Sequence, residues 1–121
     1  MIFTSRVYNK SERTGGSVFL VDRIWPRGIK KEDLHIDGWM KESSPSSDLR
    51  KWFHRNPERW IEFKKQYFKE LDDKPEAWKS VLEASLSGDV TLLYGSKDTE
   101  HNNAVALKEY LEGKLKHQYK T

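Results

Sequence analysis

Hydrophobic positions along the chain follow two periods. Two short, unbroken apolar runs, Ser17-Val18-Phe19-Leu20-Val21 and Val90-Thr91-Leu92-Leu93-Tyr94, have the length of strands. Their lack of polar alternation fits strands covered on both faces. Residues 3–8 predict an earlier strand, and the strand built on the first run extends over 17–22. Other stretches repeat every three to four residues. Trp60, Phe63, Tyr67 and Leu71, flanked by Ile61 and Phe68, form one stripe. Trp78, Val81, Leu82 and Leu86 form a second, and Ala104, Leu107, Leu111 and Leu115 a third. Each predicts an amphipathic helix with its stripe in the core.

Polar and turn-forming residues separate these elements. Residues 9–16 read as a polar turn ending in a Gly pair, and Pro26 and Gly28 close the segment after the second strand. Residues 31–34 predict one helical turn, and the Ser-rich stretch 37–47 a loop. Ser46 or Ser47 caps a short helix over 48–54. Asn56 reads as an N-cap with Pro57 at the first helical position. Asp73 or Lys74 before Pro75 starts the next helix, which Gly88 ends. Asp98 or Thr99 caps the last helix, placing its start at Thr99 or Glu100. Residues 113–121 are polar and expected to fray.

The order is strand, strand, helical middle, strand, helix, with no internal repeat or linker. Joining strands through helices favours parallel pairing with a right-handed crossover. The expected fold is therefore a single α/β domain over residues 1–121: a small three-layer Rossmann-like architecture with a short, mainly parallel sheet and a helical middle segment. Ligands in such sheets bind beyond the carboxyl ends of the strands. Two charged segments fall there, D-R-I-W-P-R-G at 22–28 and G-S-K-D-T-E-H-N-N at 95–103. If their strands are neighbours, the segments meet.

Composition changes this picture in three places. Of the 121 residues, 36% are hydrophobic and 34% charged, which is lean for a packed core, but five Trp, five Tyr and five Phe restore buried area. Such aromatic content argues against disorder. With no Cys, disulfides, thiolate metal sites and a Cys nucleophile are excluded. The N-terminal residues lack the layout of a signal peptide, and no apolar run nears the ~20 residues of a membrane span. The expectation is a cytoplasmic protein without membrane contact. The net charge is +3, with acids and bases interspersed along the chain.

The candidate chemistry lies at the strand ends. Arg23, Arg27, Lys41, Arg50 and Lys97, with His101, outnumber the carboxylates Asp22 and Asp98. That composition suits an anion, since Arg presents a planar fork to phosphate or carboxylate oxygens. Ser44, Ser46, Asn102 and Asn103 add neutral polar contacts, and Trp25 offers a face for a flat base or sugar. The N–H groups opening the last helix would point to the same crevice. A catalytic reading gives Asp22 or Asp98 nucleophilic or general-base work and makes His101 a proton carrier. A purely structural reading explains several of these residues as well. Asp98 serves as a cap, Trp25-Pro26 as an apolar plug, and Asp22 and Arg23 as a sealed strand end. No phosphate-loop, dinucleotide or nucleophile-elbow motif occurs, so no cofactor is indicated. His35, His54, His101 and His117 include no i,i+4 pair, so no metal site is expected.

The pieces V-D-R-I-W-P-R-G at 21–28, K-E-S-S-P-S at 41–46, L-R-K-W-F at 49–53, P-E-R-W at 57–60 and V-T-L-L-Y…D-T-E-H-N-N-A at 90–104 carry a resemblance. The chain resembles the YeaO-like branch of a large bacterial family classed as a domain of unknown function, from about residue 3 to residue 112. The resemblance implies a small cytoplasmic α/β domain of Rossmann-like character and no particular reaction. Where relatives often read Gly-His-Asp, this chain has His54-Arg55-Asn56, so no role tied to a His at the middle position carries over.

The leading expectation is a pocket for a small anionic ligand, namely a nucleotide, nucleoside or sugar phosphate, with hydrolase or transferase chemistry as an extension. The alternative is a nucleic-acid-binding module with Lys30, Lys31, Arg50, Lys51, Arg55, Arg59, Lys64 and Lys65 on a basic helical surface and Trp52 and Phe53 as stacking rings. A partner-binding module built on the Ser44–Ser47 loop and exposed rings is the third. The sequence indicates no oligomeric state.

Overall fold

A computed structural model describes residues 1–9 and 15–119, with side chains to residue 117. Most of the turn expected at 9–16 lies outside the described residues. The chain forms β1 (Ile2–Arg6), β2 (Ser17–Leu20), β3 (Gly38–Trp39), α1 (Ser47–Arg55), α2 (Trp60–Asp72), α3 (Lys79–Ser87), β4 (Val90–Tyr94) and α4 (Asn103–Tyr119). Short 3-10 turns occur at Lys31–Asp33, Lys41–Ser43 and Pro75–Ala77. The four strands make one sheet in the order β1-β4-β2-β3, with every pair parallel.

The unbroken apolar run of β4 is explained by its place. It lies between β1 and β2, and all five of its residues are buried. Strand alternation sends Val90, Leu92 and Tyr94 to one face and Thr91 and Leu93 to the other. On the first face, Ile2, Phe19, Val21, Leu92 and Tyr94 pack with residues of all four α-helices, including Phe63, Tyr67, Val81 and Leu107. Fully burying one such side chain contributes about 1.5–3 kcal/mol. On the second face, Val7, Leu20 and Leu93 pack beneath Leu34, with Trp25, Ile29, Ile36 and Trp39 half-buried around them. The third layer is therefore a mostly irregular ribbon over residues 25–36 whose one helical turn is the 3-10 segment Lys31–Asp33, as expected at 31–34, and not an α-helix. Trp25 and Trp39 meet edge-to-face at 5.3 Å. Their indole N–H groups donate to the carbonyls of Ile29 (2.6 Å) and Asp22 (2.7 Å) respectively.

Several boundaries differ from the sequence expectation, each for a local reason. β2 stops at Leu20 because side chains take over the next pairings. Val21 N–H still reaches Leu93 O at 3.1 Å, but its carbonyl accepts from the Asn103 amide at 2.8 Å. The expected loop at 37–47 contains β3, whose flanking residues Asp37 and Met40 donate backbone N–H groups to Val18 O and Leu20 O, both at 2.7 Å. Asn56 does not open a helix. It closes α1, donating its side-chain amide to Trp52 O at 2.8 Å, and α2 starts at Trp60. Leu86, placed in the α3 stripe by spacing, is 51% exposed. α4 begins at Asn103, not at Thr99 or Glu100. Its cap is Asn102, whose Oδ1 accepts from Val105 N at 2.9 Å. The helix ends at Tyr119. Among the described residues, no helix is long and apolar enough to cross a membrane.

Candidate functional site

The strand-end segments meet as the parallel order requires. Asp22, two residues past the end of β2, accepts the Gly95 N–H through Oδ2 at 2.8 Å, just beyond β4. Asn103, in the first turn of α4, closes the triangle on Val21 O. Above this junction opens a cleft of about 770 Å³. Asp22, Ser96 and Asn103 line it from the strand ends. Arg23, Ile24, Ser44 and Pro45 come from the segments after β2 and β3, and α1 supplies Arg50, Lys51, Phe53, His54 and Arg55. The α1–α2 connection and α2 contribute Pro57 and Phe63, and the approach to α4 contributes Asp98, His101 and Asn102.

Part of the lining is aromatic. Phe53 stacks on Phe63 at 4.3 Å, and Phe63 on Trp60 at 5.6 Å. The His101 ring lies nearly parallel to Trp60, 17° off and 4.8 Å away. The charged lining is uneven. Arg23, Arg50, Lys51 and Arg55 reach the cleft, and none forms an ion pair among the described residues. Arg23 is oriented by one bond, Nε donating to Pro45 O at 3.4 Å.

The two carboxylates differ. Burial pushes the Asp22 carboxyl above its ordinary value, against the Gly95 N–H, the Asn103 amide and the Arg50 charge, which favour ionisation. Asp98 is held below its ordinary value by the N–H groups of His101 and Glu100, which donate to Oδ1 at 2.9 and 3.0 Å. Asp98 thus folds a turn ahead of α4 and does not cap it.

Of the residues singled out from sequence, Asp22, Arg23, Ser44, Arg50, Asp98, His101, Asn102 and Asn103 line the cleft. Five others do not. Trp25 packs against Trp39 on the far face of the sheet. Arg27 is exposed, and its carbonyl accepts from Tyr8 Oη at 2.7 Å. Lys41 sits over the Trp39 ring at 5.2 Å. Ser46 caps α1, its Oγ accepting from Leu49 N at 3.2 Å and donating to Glu70 at 2.6 Å. Lys97 is exposed outside the lining. The N–H groups expected to be free at the start of α4 are partly engaged, because Asn102 takes Val105 N and Asp98 takes those of Glu100 and His101.

Sequence reasoning did not assign Lys51, Phe53, His54, Arg55 or Phe63 to this pocket. A signal was present. In R-K-W-F-H-R at 50–55, Arg50/His54 and Lys51/Arg55 form two basic i,i+4 rows on one short helix. Among the described residues, no three His, Asp or Glu side chains gather as a metal site would require.

Relatives share most of this chain. It is 42% identical over 106 residues to the uncharacterised protein YeaO of Escherichia coli, covering 88% of this chain and 92% of that one. Uncharacterised proteins of Mycobacterium bovis and Mycobacterium tuberculosis are each 36% identical over 110 residues, covering 91% of this chain and 92% of theirs. No solved structure matches. The model of a family described as the inactive DUF488-N3 subclade matches residues 1–121, and with these relatives it shows that the chain belongs to that family.

Proposed function

We propose that the cleft binds a small phosphorylated ligand, such as a nucleotide or sugar phosphate, and holds it without turnover. The observation that carries this reading is the convergence of Arg23, Arg50, Lys51 and Arg55 on one cleft with no ion-pair partner among the described residues. Four cations held together without ion-pair contacts outnumber the two carboxylates of the lining, Asp22 and Asp98, and an anion relieves their mutual repulsion. Guanidinium–phosphate bonds are charge-assisted and directional. The exposed His101 ring, backed by Trp60, adds flat surface beside the cations, which suits a base or sugar face. Turnover has less support. Asp98 is tied to two backbone N–H groups and made a weaker base, and the family description carries the word inactive.

Isothermal calorimetry with AMP and with inorganic phosphate tests the reading. Binding with Kd of about 1 mM or tighter, weakened about tenfold or more in Arg50→Ala, is the expected result. Absence of heat with either anion at low salt overturns it. The polynucleotide alternative has less free surface than the sequence suggested. Arg59 and Lys64 are paired with Glu62 and Glu109, and Trp52 and Phe53 pack on the core. A polynucleotide would also show a steep loss of affinity with salt that one small anion would not.

A further inference from the structure

A carboxylate set among the cations of an anion cleft is a contradiction that narrows the ligand. Asp22 lines the same cavity as Arg23 and Arg50, and the Arg50 charge acts on it directly. An ionised carboxylate accepts at about four lone-pair positions. The Gly95 N–H takes one, and the Asn103 amide, also bonded to Val21 O, is the other neutral donor beside it. Among the described residues, neither Arg23 nor Arg50 forms an ion pair with it. Acceptor capacity is therefore left over, facing a cleft whose other charged groups attract anions. A bare anion would be repelled at that point. A ligand that brings hydroxyl donors on the carbon skeleton next to its phosphate would satisfy both ends.

We propose that Asp22 is a specificity residue that reads sugar or polyol hydroxyls, so that the cleft takes a hydroxylated phosphate monoester in preference to a phosphate of equal charge without hydroxyls. This rests on the anion reading above and narrows it. The guanidiniums of Arg23 and Arg50 hold the phosphate oxygens. The Asp22 carboxylate accepts from a hydroxyl on the attached carbons and disfavours any second anionic group there. A hydrogen bond to a charged group discriminates strongly against an analogue that leaves the group unpaired.

The test compares glycerol 3-phosphate with propyl phosphate, which share charge and chain length and differ by two hydroxyls, using calorimetry on the intact protein and on Asp22→Asn. The wild-type protein is expected to bind glycerol 3-phosphate at least about tenfold more tightly. In Asp22→Asn the preference should shrink to about twofold or less, while propyl phosphate binds several-fold more tightly because the like charge is gone. Equal affinity for the two phosphates in the wild-type protein overturns the assignment of Asp22 but leaves the anion cleft standing, and this arm needs no variant. A preference that survives unchanged in folded Asp22→Asn also overturns it. Failure of both phosphates to bind overturns the anion cleft itself, and the assignment with it.

Discussion

The cleft has two carboxylates in opposite circumstances. Asp22, just past β2, is largely withdrawn from water, accepts a backbone N–H from Gly95, and sits above its ordinary pKa. Asp98, in the loop before α4, is exposed, holds two backbone N–H groups, and sits below its ordinary pKa. Folding favours the ionised Asp98 and disfavours the ionised Asp22. A residue that costs stability in its charged state and lines a pocket is a better candidate for ligand contact than one already used by the backbone. The same contrast separates the two asparagines from the two arginines. Asn102 and Asn103 spend their amides on Val105 N, Asp98 O and Val21 O, whereas Arg23 and Arg50 keep most of their donors.

The largest effect should come from the residue that joins the two regions. Asn103→Ala strands the Val21 carbonyl and frees the start of α4 from the strand ends. It should cost about 1–3 kcal/mol in urea unfolding, and a loss below a few tenths would mean that the strand ends are held by other contacts. Asn102→Ala follows, at about 0.5–2 kcal/mol for a lost helix cap, read from the same unfolding curves. Arg50→Ala should leave stability within about 0.5 kcal/mol while weakening phosphate binding. A large stability loss there would assign Arg50 to the fold.

The pH dependence is smaller and more diagnostic. Because folding raises the Asp22 pKa, the native protein holds that proton more tightly than the unfolded chain. Relative to Asp22→Asn, the wild-type protein should therefore lose stability as pH rises from the ordinary carboxylate value through the raised one. Asp98 behaves in the reverse sense. Its contribution is present above the unfolded carboxylate pKa and is lost as pH falls through the lowered native value. Urea unfolding of the wild-type protein, Asp22→Asn and Asp98→Asn from about pH 3 to 8 reads the two slopes as differences from wild type, and slopes of the same sign would remove the distinction.

The parallel sheet and its helices were legible where periodicity was long. β4 and the α4 stripe follow from runs of apolar residues that only one geometry buries. Legibility failed where two signals of one kind stood close together. Asp98 and Asn102 are both good N-caps four residues apart; the first makes a local turn and the second starts the helix. Asn56-Pro57-Glu58 has the composition of a helix start, but Asn56 lies at the end of α1, where its amide satisfies Trp52 O. β3 has two residues, one of them Gly38, and no period can be read from two positions. For the pocket, the meeting of the two charged segments follows from parallel order. The contribution of α1 does not, because which face of a nine-residue helix overlooks the strand ends is set by tertiary packing. Trp25 belongs to the far face for the same reason, since the chain leaves the cleft after Ile24.

The position of β4 has a bearing on how the molecule assembles. β1 and β2 come early in the chain, yet neither is bonded to the other; both pair with β4, which follows all three intervening α-helices. β1 has no partner until β4 arrives from far along the chain, and β2 has before then only the two-residue β3, so most of the sheet cannot zip up locally. Closure over such sequence separations slows folding, and hydrogen exchange during refolding should show α1 and α2 protected before β1 and β4.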